Sequence, residues 1–182
     1  MRGRNALVLC LLLPLSCAEA QETQTDELPR PERIQELADA GKGEEALALC
    51  RRFMEARPKD PFGARKELAL LLELGRFDDA LDSGHRSLRR FRKDVLLLER
   101  LALASQRKAE QLAQQPSGRR KASLHLQDAV RFAERAVKSD PKRRESLAVL
   151  GMAQFQLGKV PEALKTATRL AERFPESPSG PL

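Results

Sequence analysis

The chain has 182 residues, 32% of them charged and 41% hydrophobic, with a formal net charge of +7. That balance excludes a disordered polyelectrolyte and a multi-spanning membrane protein, and the length suits a single domain of ordinary size. With seven Phe, no Trp and no Tyr, the core must be built from Leu and Ala, which favour helices over strands. Three Cys exclude a disulfide-rich scaffold, and two His leave little material for a His-based metal or acid–base site.

Residues 1–20 read as an export signal. Arg2 and Arg4 form a positive start, Ala6 to Leu13 an unbroken apolar run, and Pro14 ends it. The run is about half of the ~20 residues that a membrane-spanning helix needs. Ala18-Glu19-Ala20 offers small residues at the positions a signal peptidase reads, with cleavage after Ala20. A second route competes: Leu15-Ser16-Cys17 resembles the end of a bacterial lipoprotein signal, in which Cys17 becomes the lipidated first residue. Pro14 stands where that pattern prefers Leu. Either route predicts an exported protein of the bacterial envelope, periplasmic in the first case and a membrane-anchored lipoprotein in the second.

Residues 21–32 are polar and hold Pro29 and Pro31, which predicts a flexible tether. From about residue 33 the chain becomes periodic on a scale longer than a helix. A step of 34 residues links Gly41 to Gly75, Ala46 to Ala80, Ala129 to Ala163 and Pro141 to Pro175. An acid precedes each of the four alanines: Glu45, Asp79, Asp128 and Glu162. A fixed period of this length means one supersecondary unit used repeatedly, and the units fall at about 27–60, 61–94, 95–143 and 144–177, with a tail at 178–182.

The first unit has a weak first helix, with Arg30 and Arg33 at positions that should be apolar. Its turn is Gly41-Lys42-Gly43, and Cys50 falls on the core side of its second helix beside Leu47. In the second unit Ala64 to Leu74 carries apolar residues at helical spacing, and Gly75 stops it. A second helix restarts at Phe77 with Asp78 and Asp79 in its first turn, where acids favour the helix dipole. Gly84 inside that helix costs about 1 kcal/mol relative to Ala unless close packing requires it. In the third unit Ala80 and Ala129 are 49 residues apart, 15 more than the period. The expectation is a first helix from Val95 through Gln115, a loop over Pro116 to Lys121, and a second helix opening near Ser123. The fourth unit runs from Leu147 to Leu157, turns at Gly158, and continues from Pro161 to Phe174, with Pro161 tolerated in the first turn.

This pattern resembles the tetratricopeptide repeat. Leu147, Leu150-Gly151, Gly158, Ala163 and Pro175 match its motif in one unit, and Asp140-Pro141 and Arg57-Pro58 match its closing signal. Arg92 stands in place of the closing Pro in the second unit. The resemblance implies an all-α, right-handed solenoid of about four helix-turn-helix repeats, the third with an insertion. It also implies a non-enzymatic scaffold that binds a protein or peptide partner, with no cofactor. The family's groove positions fall at Phe62, Arg65, Ala69, Leu72 and Glu73; at Leu96, Glu99, Leu103, Gln106 and Arg107; and at Glu145, Ala148, Met152, Phe155 and Gln156. Ala69 and Leu103 stand where some members use polar residues to hold a C-terminal carboxylate, so that subtype is not expected.

No catalytic constellation emerges. His85 and His125 are 40 residues apart without Cys or paired acids at ligand spacing, and no Gly-rich loop suited to phosphate is present. Basic clusters at Arg89-Arg90, Arg119-Arg120-Lys121 and Lys142-Arg143-Arg144 lack interleaved aromatics, which with the export signal argues against nucleic acid. Interleaved acids make a solvated helix face the default, and an anionic membrane surface the functional alternative. The chain ends in Pro175 to Pro181, which cannot form a capping helix. Leu164, Ala167 and Ala171 are therefore expected to form an open edge, where a partner chain or a second copy docks.

Overall fold

The computed structural model describes residues 28–175. These form eight helices and no strand: α1 (Pro31–Asp39), α2 (Gly43–Ala56), α3 (Phe62–Glu73), α4 (Phe77–Arg90), α5 (Val95–Ala113), α6 (Arg119–Ser139), α7 (Arg144–Gln156) and α8 (Val160–Arg173). The export signal, Cys17, Ala20 and the tail at 178–182 lie outside the described residues. The segment expected to be a tether ends earlier than its composition suggests. Helix α1 opens at Pro31, whose fixed φ and missing N–H suit the first position of a helix.

Each odd-numbered helix pairs with the even-numbered helix after it, and consecutive pairs stack. Three of the four intra-pair turns are alike. Gly41, Gly75 and Gly158 have φ of 73°, 68° and 79°, the left-handed region that only glycine enters without strain. The N–H of Gly41 donates to Ala38 O at 3.0 Å and that of Lys42 to Leu37 O at 2.8 Å. The same two bonds recur at Gly75 with Arg76 and at Gly158 with Lys159, satisfying carbonyls that the end of the helix would otherwise leave open. Beside these turns the alanines expected at the helix crossing, Ala46, Ala80, Ala129 and Ala163, are all buried, so the paired helices approach closely.

The first helices of neighbouring repeats touch one another: α1 with α3, α3 with α5, and α5 with α7. Among the described residues, the backbones of the second helices (α2, α4, α6, α8) stand farther apart, and α4 meets α6 through side chains such as His85 and Phe132. Stacking that is tight on one side and splayed on the other gives the solenoid its two unlike faces. One apolar core runs from Ile34 through Phe53, Leu68, Leu97 and Leu101 to Leu147 and Ala153.

The extra residues of the third repeat do not form a long loop. Helix α5 has 19 residues and α6 has 21, against 12 and 14 in α3 and α4, so each is roughly two turns longer. The connection shrinks to Gln114 to Gly118, and Arg119-Arg120-Lys121, expected in a loop, form the first turn of α6. Ala109 and Ala122 are buried in the extended part, and Pro116-Ser117-Gly118 falls in the short turn between the two helices.

The groove and the open edge

The odd-numbered helices line the inner face, and the expected groove residues have unequal fates there. At the N-terminal end most are engaged with the protein itself. Phe62 is half-buried against Phe53, with ring centroids 5.3 Å apart. Arg65 binds Asp94 through Nε at 2.9 Å and Nη2 at 2.6 Å. Asp94 also accepts the Leu97 N–H and so caps α5, which fixes the start of the next repeat. Ala69, Leu72, Leu96 and Leu103 line the same face. Leu72, Leu96 and Leu103 are half-buried, while Glu73 and Arg107 are exposed, Arg107 paired with Glu110.

Two expected groove residues are not in the groove. Glu99 and Gln106 are buried. Glu99 receives Arg143 Nε at 2.7 and 2.8 Å on its two oxygens and the Ser146 hydroxyl at 2.5 Å, so it ties the third repeat to the fourth. The hydrogen bond that Arg143 donates to Glu99 is the main cause that holds its guanidinium above its usual range. Gln106 sits where Leu72 sits one repeat earlier, a position that the following repeat covers. A similar contact, missed from the sequence, ties the second repeat to the first: Glu67 is buried and accepts from Ser83 Oγ of its own repeat and from Arg51 Nε of the first. Arg100, also missed, donates to Arg65 O at 2.6 Å, and burial pulls its guanidinium below its usual range.

At the C-terminal end most of the residues are exposed, although Glu145 pairs with Arg143 at 3.8 Å. Glu145 and Ala148 are exposed, Met152 is 52% and Phe155 62% exposed, and Gln156 is half-buried and donates to Glu110 Oε1 at 2.8 Å. The open edge continues this surface. Leu164 is 68% exposed, whereas Leu47, Leu81 and Val130 at the same place in the first three repeats are 1%, 9% and 6% exposed. Ala167 and Ala171 are exposed too, although Gly84 and Leu88 at the equivalent places are buried. Val160, 53% exposed, joins the patch and was not singled out from the sequence. Its alignment with the half-buried Phe77 would have marked it.

Cys50 is buried, and desolvation together with the neighbouring Glu67 pushes its thiol up to about 12. It packs as a small apolar group. His85 is exposed and meets the edge of Phe132 at 5.5 Å between ring centroids, and His125 is half-buried. Among the described residues, no helix is long and apolar enough to cross a membrane.

Residues 121–178 match the family model of the tetratricopeptide repeat. Those residues carry the tetratricopeptide-repeat pattern. Solved tetratricopeptide-repeat structures share the fold over most of its length. MamA from Desulfovibrio magneticus RS-1 is 18% identical over 83% of this chain and 79% of its own, with a TM-score of 0.62. The thermophilic repeat protein TTC0263 of Thermus thermophilus is 20% identical over 78% of this chain and 72% of its own, with a TM-score of 0.65. Human IFIT1, solved as a dimer with m7Gppp-AAAA, is 19% identical over 75% of this chain and 31% of its own, with a TM-score of 0.67. No curated protein sequence matches significantly.

Proposed function

We propose that the protein is a non-enzymatic, exported adaptor that binds a partner protein through the C-terminal half of its groove and the open edge beside it. One observation carries this reading. Met152, Phe155, Val160 and Leu164 are large, apolar and exposed on one end of the solenoid, and Leu164 stands where the earlier repeats bury Leu47, Leu81 and Val130. A surface built to be covered by a helix suits an amphipathic helix of the partner, docked where a fifth repeat would begin. The export signal supports an envelope location. Leu15-Ser16-Cys17 supports a second reading, in which lipid on Cys17 tethers the adaptor to a membrane as part of an envelope or secretion complex.

Photo-crosslinking groups placed at Phe155 and Leu164 in the native host should give one discrete protein adduct each, of the same partner. A group at Arg52, exposed on α2, should give none. Equal labelling at all three sites would sink the proposal. The intact mass of the mature protein separates the two locations: a mass beginning at Gln21 means a soluble adaptor, and one beginning at an acylated Cys17 means a tethered one.

A further inference from the structure

The outer face of the solenoid carries a second feature, unrelated to the groove or the open edge. Because the second helices splay apart, clefts open between them. One of about 830 Å³ lies between α2 and α4 with α3 as its floor, and one of about 500 Å³ lies between α4 and α6. Arg89 lines both, so the two clefts flank α4 as one continuous feature. Together they are lined by eight arginines and three acids, and the second cleft has no acid at all.

The acids are largely engaged inside the protein. Glu67 is buried against Ser83 and Arg51, and Asp60 accepts the Phe62 N–H at 2.9 Å, which leaves Glu55 as the one lining acid free to face an arginine. Some arginines are held by the fold. Arg90 donates to Pro58 O, Arg135 donates to Arg92 O, and Arg131 pairs with Asp128. Arg86, Arg89 and Arg92 are exposed, and their guanidinium groups have no hydrogen-bond or ion-pair partner among the described residues. Like charges held on facing walls repel one another, and a bound anion relieves that repulsion.

We propose that these clefts bind an acidic segment of a protein, an extended run of Asp and Glu whose carboxylates meet Arg86 and Arg89 in the first cleft and Arg92 in the second. Planar guanidinium forks match carboxylates bidentately. Nucleic acid fits less well because the rings that line the clefts are engaged with the protein: Phe91 is half-buried against the core, and His85 lies against Phe132. Phe132 is buried, with Arg131 5.3 Å and Arg135 5.9 Å from its ring centroid and His85 at its edge. A bilayer fits less well because the guanidinium groups stand on the walls of recesses rather than on a plane.

The test is fluorescence anisotropy of the full chain with a labelled peptide of twelve glutamates at low salt. The expected result is saturable binding that weakens roughly tenfold or more in R86Q/R89Q, weakens in R92Q, and changes less than about twofold in K165Q/R169Q. The last variant removes the same charge from α8, where Lys165 and Arg169 are exposed. Circular dichroism confirms that each variant is folded, and R92Q probes the second cleft independently of the first. Absence of binding, or equal loss in the cleft and α8 variants, would overturn the proposal in favour of general charge attraction. A twelve-nucleotide single strand that binds more tightly than the peptide, with the same dependence on Arg86 and Arg89, would overturn it in favour of nucleic acid. Vesicles of anionic lipid that outcompete the peptide would overturn it in favour of a membrane.

Discussion

Two glycines sit in the middle of helices, and replacing each with alanine should have opposite effects. In an exposed helix interior Gly→Ala stabilises by about 1 kcal/mol, because glycine loses more backbone freedom on folding. A methyl group added at Gly151 would meet Thr166 Cγ2 at 3.5 Å and Cβ at 3.8 Å, which is ordinary contact. Gly151→Ala should therefore keep most of the ~1 kcal/mol gain, a rise in Tm of roughly 2–4 °C for a chain of this size. At Gly84 the same methyl would lie 2.5 Å from Leu101 Cδ2 and 2.6 Å from its Cγ. Leu101 is fully buried in the core and its branch point is involved, so rotating a methyl away does not resolve the overlap. Overpacking of this kind costs about 1–3 kcal/mol, which outweighs the helical gain and leaves a net loss of up to about 2 kcal/mol. Differential scanning calorimetry of the two variants and the parent measures both signs. The double variant G84A/L101A should recover part of what Leu101→Ala loses, because the new methyl enters the space that Leu101 vacates. A Gly84→Ala protein more stable than the parent would refute the close approach of α4 and α5.

Leu164→Arg should leave the thermal stability of the monomer within about 0.5 kcal/mol, since the side chain is 68% exposed, while weakening partner or self-association at the open edge. Sedimentation velocity and the crosslinking assay both measure this, and an unchanged assembly would remove Leu164 from the interface. Arg143→Met should destabilise by about 1–3 kcal/mol in urea unfolding, because it leaves the buried Glu99 carboxylate with Ser146 alone. The figure is below the usual cost of breaking a buried pair because Arg143 is itself 32% exposed. Replacing both partners, as in E99L/R143M, should cost less than Arg143→Met alone; the reverse order would show that the carboxylate does not depend on its arginine. The raised pKa of Cys50 gives a pH dependence with a definite sign. The thiol ionises near 9.0 when free and near 12 when folded, so its contribution is complete below pH 9 and is lost as the pH rises from about 9 to 12. Between pH 8 and 10.5 the parent should lose up to about 2 kcal/mol more than Cys50→Ala. An equal alkaline loss in both would show that Cys50 is not shielded from water.

The scaffold reading and the cleft reading concern opposite faces of one geometry. Tight stacking of the odd-numbered helices consumes most of the inner surface near the N-terminus and leaves it free only where the stack ends. The same stacking spreads the even-numbered helices and opens recesses on the outer side, and here those recesses are arginine-lined. A protein partner gripping the open edge and an acidic segment in the clefts could be bound at once, since they share no residue.

The sequence by itself determined the architecture. The glycines at 41, 75 and 158 are needed wherever the chain must enter the left-handed region, and the buried alanines are needed wherever two helices cross, so the repeat was written in residues whose roles are local. The place of Leu164 was legible for the same reason, because it follows the crossing Ala163 as Leu47, Leu81 and Val130 follow theirs. Tertiary structure decided what depends on neighbours distant in the chain. Glu99 reads as a polar groove residue until Arg143 and Ser146, more than 40 positions away, close over it. The cost of Gly84 reads as waste until Leu101 of the next repeat is seen against it. Arg119, Arg120 and Lys121 read as loop because Pro116, Ser117 and Gly118 break helices locally, whereas α6 opens at Arg119 and buries Ala122. Arginines on three separate helices line one pair of clefts only because those helices stand apart, a spacing that follows from the close packing of the first helices.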